Sequence, residues 1–144
     1  MRPRFFFVAT LLVVAATVTL PAQTPRPVLT PGNTVLIAQY ECAADQLARA
    51  DAFINEITTP VLNKYVSAGK IISWGYMGVY LGGKANRTIY LWAADPVALM
   101  QARQAYLPEL TANPKYSEFA KICGAATITL NNLITMSGSS ASTK

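Results

Sequence analysis

Apolar and polar positions follow two different periods along this chain, and each change of period marks an element. Val35 to Cys42 is a short apolar run rich in β-formers, which predicts a strand. From Asp45 onward, Leu47, Ala50, Ile54, Ile57, Val61 and Tyr65 recur at spacings of three and four, one continuous helical stripe. Asp45 reads as the cap that opens this helix and Gly69 as its stop. Pro60 lies within the stripe and demands a kink or a restart, because it lacks an N–H and crowds the preceding turn. Ile71 to Leu81 and Arg87 to Ala94 read as the second and third strands, with Gly82 to Asn86 as their hairpin connection. Asp95-Pro96 starts a second helix, Asp as N-cap and Pro at the first helical position, running to Leu110. Asn113-Pro114 restarts a shorter helix through Ile122, and Gly124 leads into a last strand from Ala125 to Ile134.

The order β-α-β-β-α-β is the ferredoxin-like, split βαβ arrangement of the α+β class. Right-handed crossovers then set the four strands in the order 4-1-3-2, all antiparallel, with the helices on one face. This domain spans 34–136. Ahead of it, 23–33 carries Pro25, Pro27, Pro31 and Gly32 and reads as an extended leader. Behind it, 137–144 is small and polar, a frayed tail.

Two consequences follow from that strand order. Cys42 ends the first strand and Cys123 precedes the fourth, and these strands are antiparallel neighbours, which predicts a Cys42–Cys123 disulfide; the alternative is two buried free thiols. A CxxC redox or metal motif is excluded by the spacing. The second consequence concerns the sheet face that the helices leave open. A half-exposed sheet should alternate apolar and polar residues. Here the second strand sets Ile72, Trp74, Tyr76 and Tyr80 against Ile71, Met77, Val79 and Leu81, and the third sets Ile89, Leu91 and Ala93 against Tyr90 and Trp92. Neither face reads as polar, and an apolar patch of this kind marks an interface, most simply with a second copy across a two-fold axis.

Composition narrows the function. The chain of 144 residues is 52% hydrophobic, 13% charged and contains no histidine. Disorder over most of its length is excluded, and so are Ser-His-Asp and Cys-His catalysis, histidine-ligated haem and most zinc sites. Arg2 and Arg4 precede an apolar run from Phe5 to Val18 that closes in Pro21-Ala22, the pattern of a secretory signal peptide over 1–22, cleaved near Ala22. The alternative, an uncleaved anchor, needs ~20 apolar residues, and the run is shorter. Its removal leaves ten basic and seven acidic residues, a net charge of +3. The ten are scattered, which argues against a nucleic-acid partner. The mature chain retains no stable membrane span.

A helix ending in Ala68-Gly69-Lys70 and running on through Ile71-Ile72 into Ser73-Trp74-Gly75, preceded by Pro60-Val61-Leu62, resembles the first crossover of the dimeric α/β-barrel superfamily. That group includes NIPSNAP-like, EthD-like and antibiotic-biosynthesis-type monooxygenase proteins, many of them exported. The resemblance covers Thr34 to Met136 and implies a ferredoxin-like domain that forms a dimeric α/β barrel. Haem-dependent members use a histidine ligand, and the missing histidine counts against those branches.

The candidate ligand pocket is the aromatic set Tyr40, Trp74, Tyr76, Tyr80, Tyr90 and Trp92, either between sheet and helices or inside the dimer barrel. The plainer explanation is core and interface packing, which also favours aromatic residues. Cofactor-independent oxygenases of the resembling fold imply a polar anchor beside such a pocket, for which Asn131, Asn132, Tyr40 and Trp74 could serve. Ser67-Ala68-Gly69-Lys70 has the S-x-x-K spacing of penicillin-binding enzymes but lacks their partner motifs, so it reads as a helix end. Among Glu41, Asp45, Asp51, Glu56, Asp95, Glu109 and Glu118 no general acid–base pair stands out, Asp45 and Asp95 being explained as caps. Asn86-Arg87-Thr88 fits the glycosylation sequon. The sequence therefore points to no catalytic residue, no metal and no cofactor. It points to an exported, homodimeric binding or assembly module, carrying a small apolar ligand or docking into a larger envelope complex. The alternative is a cofactor-independent monooxygenase or isomerase acting on an aromatic or polyketide-like substrate.

Overall fold

The fold comes from a computed structural model and is described for residues 29–79 and 83–134. The expected signal peptide, most of the leader, the tail and Tyr80 lie outside the described residues. Strand β1 (Thr34–Tyr40) is central and pairs antiparallel with both β3 (Arg87–Ala93) and β4 (Thr127–Asn132), while β2 (Ser73–Gly78) pairs with β3. The order β2-β3-β1-β4 is the expected 4-1-3-2 counted from the other edge.

The stripe from Leu47 to Tyr65 becomes one helical path in separate pieces. A 3₁₀ turn at Ala44–Gln46 leads into α1 (Leu47–Phe53), a π turn at Ile54–Thr58, and α2 (Thr59–Ser67). Pro60 sits in the first turn of α2, where its missing N–H costs least. The wider π turn ahead of it takes up the mismatch: the Thr59 N–H donates to the Ile54 carbonyl, and the Thr59 hydroxyl donates to the same oxygen at 3.0 Å. Asp45, expected to cap this helix, instead lies within the 3₁₀ turn and accepts no capping bond. At the far end the expectation holds. Gly69 has φ 65°, its N–H donates to Val66 and that of Lys70 to Tyr65, the paired bonds of a Schellman stop. Ile71 follows directly and is drawn into the core, only 2% exposed, so β2 begins later than the apolar run suggests.

Helix α3 (Pro96–Thr111) starts at Asp95, whose carboxylate accepts the Ala98 N–H at 2.8 Å, and α4 (Lys115–Cys123) follows. The helices cover one face of the sheet. Leu36, Ala38, Ile89 and Leu91 from the strands meet Phe53, Ile54, Leu62, Leu99 and Phe119 from the helices in a single core. The Cys42–Cys123 disulfide ties the end of β1 to the end of α4. Beside it the Ala43 N–H donates to the Ile122 carbonyl at 2.9 Å. The last leader residues join the sheet as well: Gly32 and Leu133, then Leu133 and Asn33, exchange backbone hydrogen bonds beyond the β1–β4 ladder.

Candidate functional site

Strand parity decides which aromatic residues can meet. Cross-strand partners share a face. Trp74 and Tyr76 lie opposite Leu91 and Ile89 and so face the helices. Tyr90 and Trp92 lie opposite Gly75 and Ser73 on the other side of the sheet. The aromatic set expected in one pocket is therefore divided between two faces, because residues 90 and 92 fall out of phase with 89 and 91. Tyr40 faces the helices, packing edge-on against Phe119 with ring centroids 5.5 Å apart.

Trp74 and Tyr76 are used structurally. The Trp74 indole N–H donates to Asn63 Oδ1 at 2.8 Å, pinning β2 to α2. The Tyr76 hydroxyl donates to Asp51 Oδ1 at 2.6 Å, and Arg87 donates to both Asp51 oxygens at 2.7 and 2.9 Å. The Arg87 hydrogen bonds hold the Asp51 carboxyl below its ordinary range, with Tyr76 adding to the effect. Burial and the Asp51 carboxylate push the Tyr76 phenol upward. With its donors and acceptors engaged in this way, the triad is a brace between α1, β2 and β3.

A cavity of about 330 Å³ lies between the sheet and the helices. Its walls are apolar: Leu36 and Ala38 from β1, Ile89 and Leu91 from β3, Phe53 and Ile54 from the first helical path, and Leu107, Leu110 and Phe119 from α3 and α4. Ala125, Ala126 and Ile128 bound it at the β4 edge, where the helices stop short and Ile128 remains 46% exposed. Its polar groups are few. Tyr40, Tyr106, Tyr116, Thr58 and Arg103 line it, and Arg103 is the only ionisable non-phenolic group among them. Burial pushes the Tyr40 phenol up to about 12, with Tyr116 and Tyr106 contributing and Arg103 opposing. Tyr106 is likewise pushed up to about 12 by burial, again against Arg103. Both phenols are neutral donors at any physiological pH.

Of the candidate polar anchors, only Tyr40 lines this cavity. Trp74 is committed to Asn63, and Asn132 accepts the Thr34 hydroxyl at 2.8 Å. Asn131 lies on the open face, donating to the Thr129 hydroxyl. Arg103, Tyr106 and Tyr116 are site residues that strand-based reading passed over. For Arg103 and Tyr106 the signal is present in α3, where Arg103 stands beside Ala102 in the stripe Leu99, Ala102, Tyr106, Leu110, a charge at the margin of a buried face, while Tyr116 stands on α4.

The open face of the sheet presents Ile37, Tyr90, Trp92 and Met77, flanked by Gln39, Thr127, Thr129 and Asn131. Tyr90 lies flat over β2, in the space that a side chain on Gly75 would occupy. This face is apolar at its centre and polar along β4, which refines the expectation that neither face is polar.

The sheet order and the helices on one face define a ferredoxin-like α+β fold. The chain is similar to a dimeric ferredoxin-like protein from an uncultured marine organism, at a TM-score of 0.55 and 12% identity, covering 78% of this chain and 95% of that one. It is also similar to an EthD-family protein from Bacillus halodurans (TM-score 0.50, 20% identity, 69% of this chain and 96% of that one). An uncharacterised NIPSNAP-like domain protein from Burkholderia xenovorans matches at a TM-score of 0.50 and 14% identity, over 78% of this chain and 92% of that one. No protein-family model and no curated protein matches the sequence. These likenesses establish the fold, and a fold of this type hosts many activities.

Proposed function

We propose that this protein is an exported, homodimeric, non-enzymatic binding module that carries a small apolar ligand in its helix-side cavity. The observation that carries this reading is the cavity itself: about 330 Å³, walled by aliphatic and aromatic side chains and bounded by the exposed β4 edge. That volume is at the small end of the ~300–1,000 Å³ range of ligand pockets. Export rests on Arg2, Arg4 and the apolar run Phe5 to Val18. Dimerisation is supported by the apolar centre of the open face and by the dimeric description of a protein of the same fold. In place of a second copy, a larger envelope complex would dock on this same face.

The test is a titration of the mature protein, starting near Gln23, with the neutral dye Nile red. Saturable fluorescence enhancement is expected, and Ala38→Trp, which adds bulk to the cavity from the buried face of β1, should abolish it while leaving the circular dichroism unchanged. Equal binding by both proteins, or none by either, overturns the reading.

A further inference from the structure

Resting on that cavity reading, we propose that the ligand carries an anionic head group, a carboxylate on an apolar body, seated against Arg103 and the hydroxyls of Tyr40, Tyr106 and Tyr116.

The argument starts from charge. Arg103 is half-buried on α3 and lines an otherwise apolar cavity, yet it makes no ion pair or side-chain hydrogen bond among the described residues. The other basic side chains facing carboxylates are all taken: Arg49 pairs with Glu118, Lys64 with Glu109, Arg87 with Asp51 and Lys115 with Glu56. Asp95 caps α3, and neither Glu41 nor Asp45 lines the cavity. A partly buried guanidinium at the wall of an apolar cavity, with no carboxylate of the described residues paired to it, leaves its charge for water or a ligand to meet.

The phenols point the same way. Tyr106 is only 6% exposed, and its hydroxyl has no hydrogen-bond partner among the described residues. Tyr40 and Tyr116 are half-buried and likewise unpartnered. None of these oxygens is sealed into the packing, where Thr88 Oγ1 alone is both buried and unpaired. All three residues line the cavity, as does Arg103, and the four are contributed by β1, α3 and α4. One guanidinium fork, which only donates, and three neutral hydroxyls, each able to turn its proton toward an acceptor, make a cationic, donor-rich cluster, complementary to a carboxylate with its several lone pairs and ill suited to a cationic head. The hydrocarbon or aromatic body then lies against Leu36, Ile54 and Leu91.

Calorimetric titration of decanoate and decanol, which share one chain and differ in the head, tests this directly. For the unaltered protein decanoate should bind more tightly by about tenfold or more, the scale of a charge-assisted hydrogen bond. Arg103→Gln should remove that preference and leave decanol unchanged, and Tyr40→Phe should weaken decanoate by a smaller factor. Decanol binding as tightly as decanoate, or Arg103→Gln weakening both equally, overturns the anionic head group and leaves the cavity reading standing. If neither ligand binds and Nile red does not bind either, the cavity reading falls and this inference falls with it.

Discussion

Asn86 does with one side chain what a strand would do with its backbone. Its Oδ1 accepts the Cys42 N–H at 3.0 Å and its Nδ2 donates to the Cys42 carbonyl at 2.7 Å, while its own N–H donates to Tyr40 at 2.9 Å. The sequon at this position is thus occupied by a structural amide, since a glycan on Nδ2 would displace the bond to Cys42. Asn86→Ala should cost about 1–3 kcal/mol in urea unfolding, two hydrogen bonds' worth with partly buried partners left unpaired. The Asp51–Arg87 pair belongs to the same scale. A carboxyl whose folded pKa is depressed stabilises the fold above its unfolded value, near 4, and that contribution disappears as pH falls through the folded value. Asp51→Asn should therefore cost about 1–2 kcal/mol at pH 7, discounted because Asp51 is 37% exposed, and the deficit should vanish on acidification. A deficit that persists unchanged at pH 2 would show that the charge is not what matters. Asp95 was legible from its Asp-Pro signature because a cap is a local contact. The partnership of Asp51 with Arg87 was not, because the two residues stand 36 positions apart and only the fold joins them.

At the scale of elements, the strands and helices could be read in order because each satisfies its own periodicity. Their ends could not be read as well. Residue Ile71 belongs by composition to β2, yet the Schellman stop at Gly69 turns it into the core. The kink demanded by Pro60 appears as a π turn, a choice made by tertiary packing, since Ile54 and Thr58 at its two ends are both buried. The Cys42–Cys123 disulfide was legible from topology, because the 4-1-3-2 order alone brings the end of the first strand to the start of the fourth. It closes a separation of 81 residues. On the chain-entropy model that is worth about 4–5 kcal/mol. Urea midpoints with and without reductant check it: the reduced protein should unfold at a clearly lower concentration, and coincident curves would show that the bridge adds nothing.

For the whole molecule the open sheet face is the proposed dimer interface. If it is the dimer interface, sedimentation equilibrium of the mature protein should give twice the protomer mass. Ile37→Glu, at the centre of that face, should raise the dissociation constant by about a hundredfold or more. A monomeric parent protein, or an unaffected dimer in the variant, would remove this assignment. The sequence by itself determined the element order, the sheet order, the disulfide and the absence of histidine chemistry. These depend on residue type, on periods of two and of three to four, and on chain handedness, all of them properties of neighbours along the chain. The tertiary structure alone decided the site. It separated Tyr90 and Trp92 from Trp74 and Tyr76, and it gathered Tyr40, Arg103, Tyr106 and Tyr116 from β1, α3 and α4 around one cavity. Which side chains meet across a core depends on strand register and on helix rotation. Both are settled by packing between segments far apart in sequence, where no local pattern reaches.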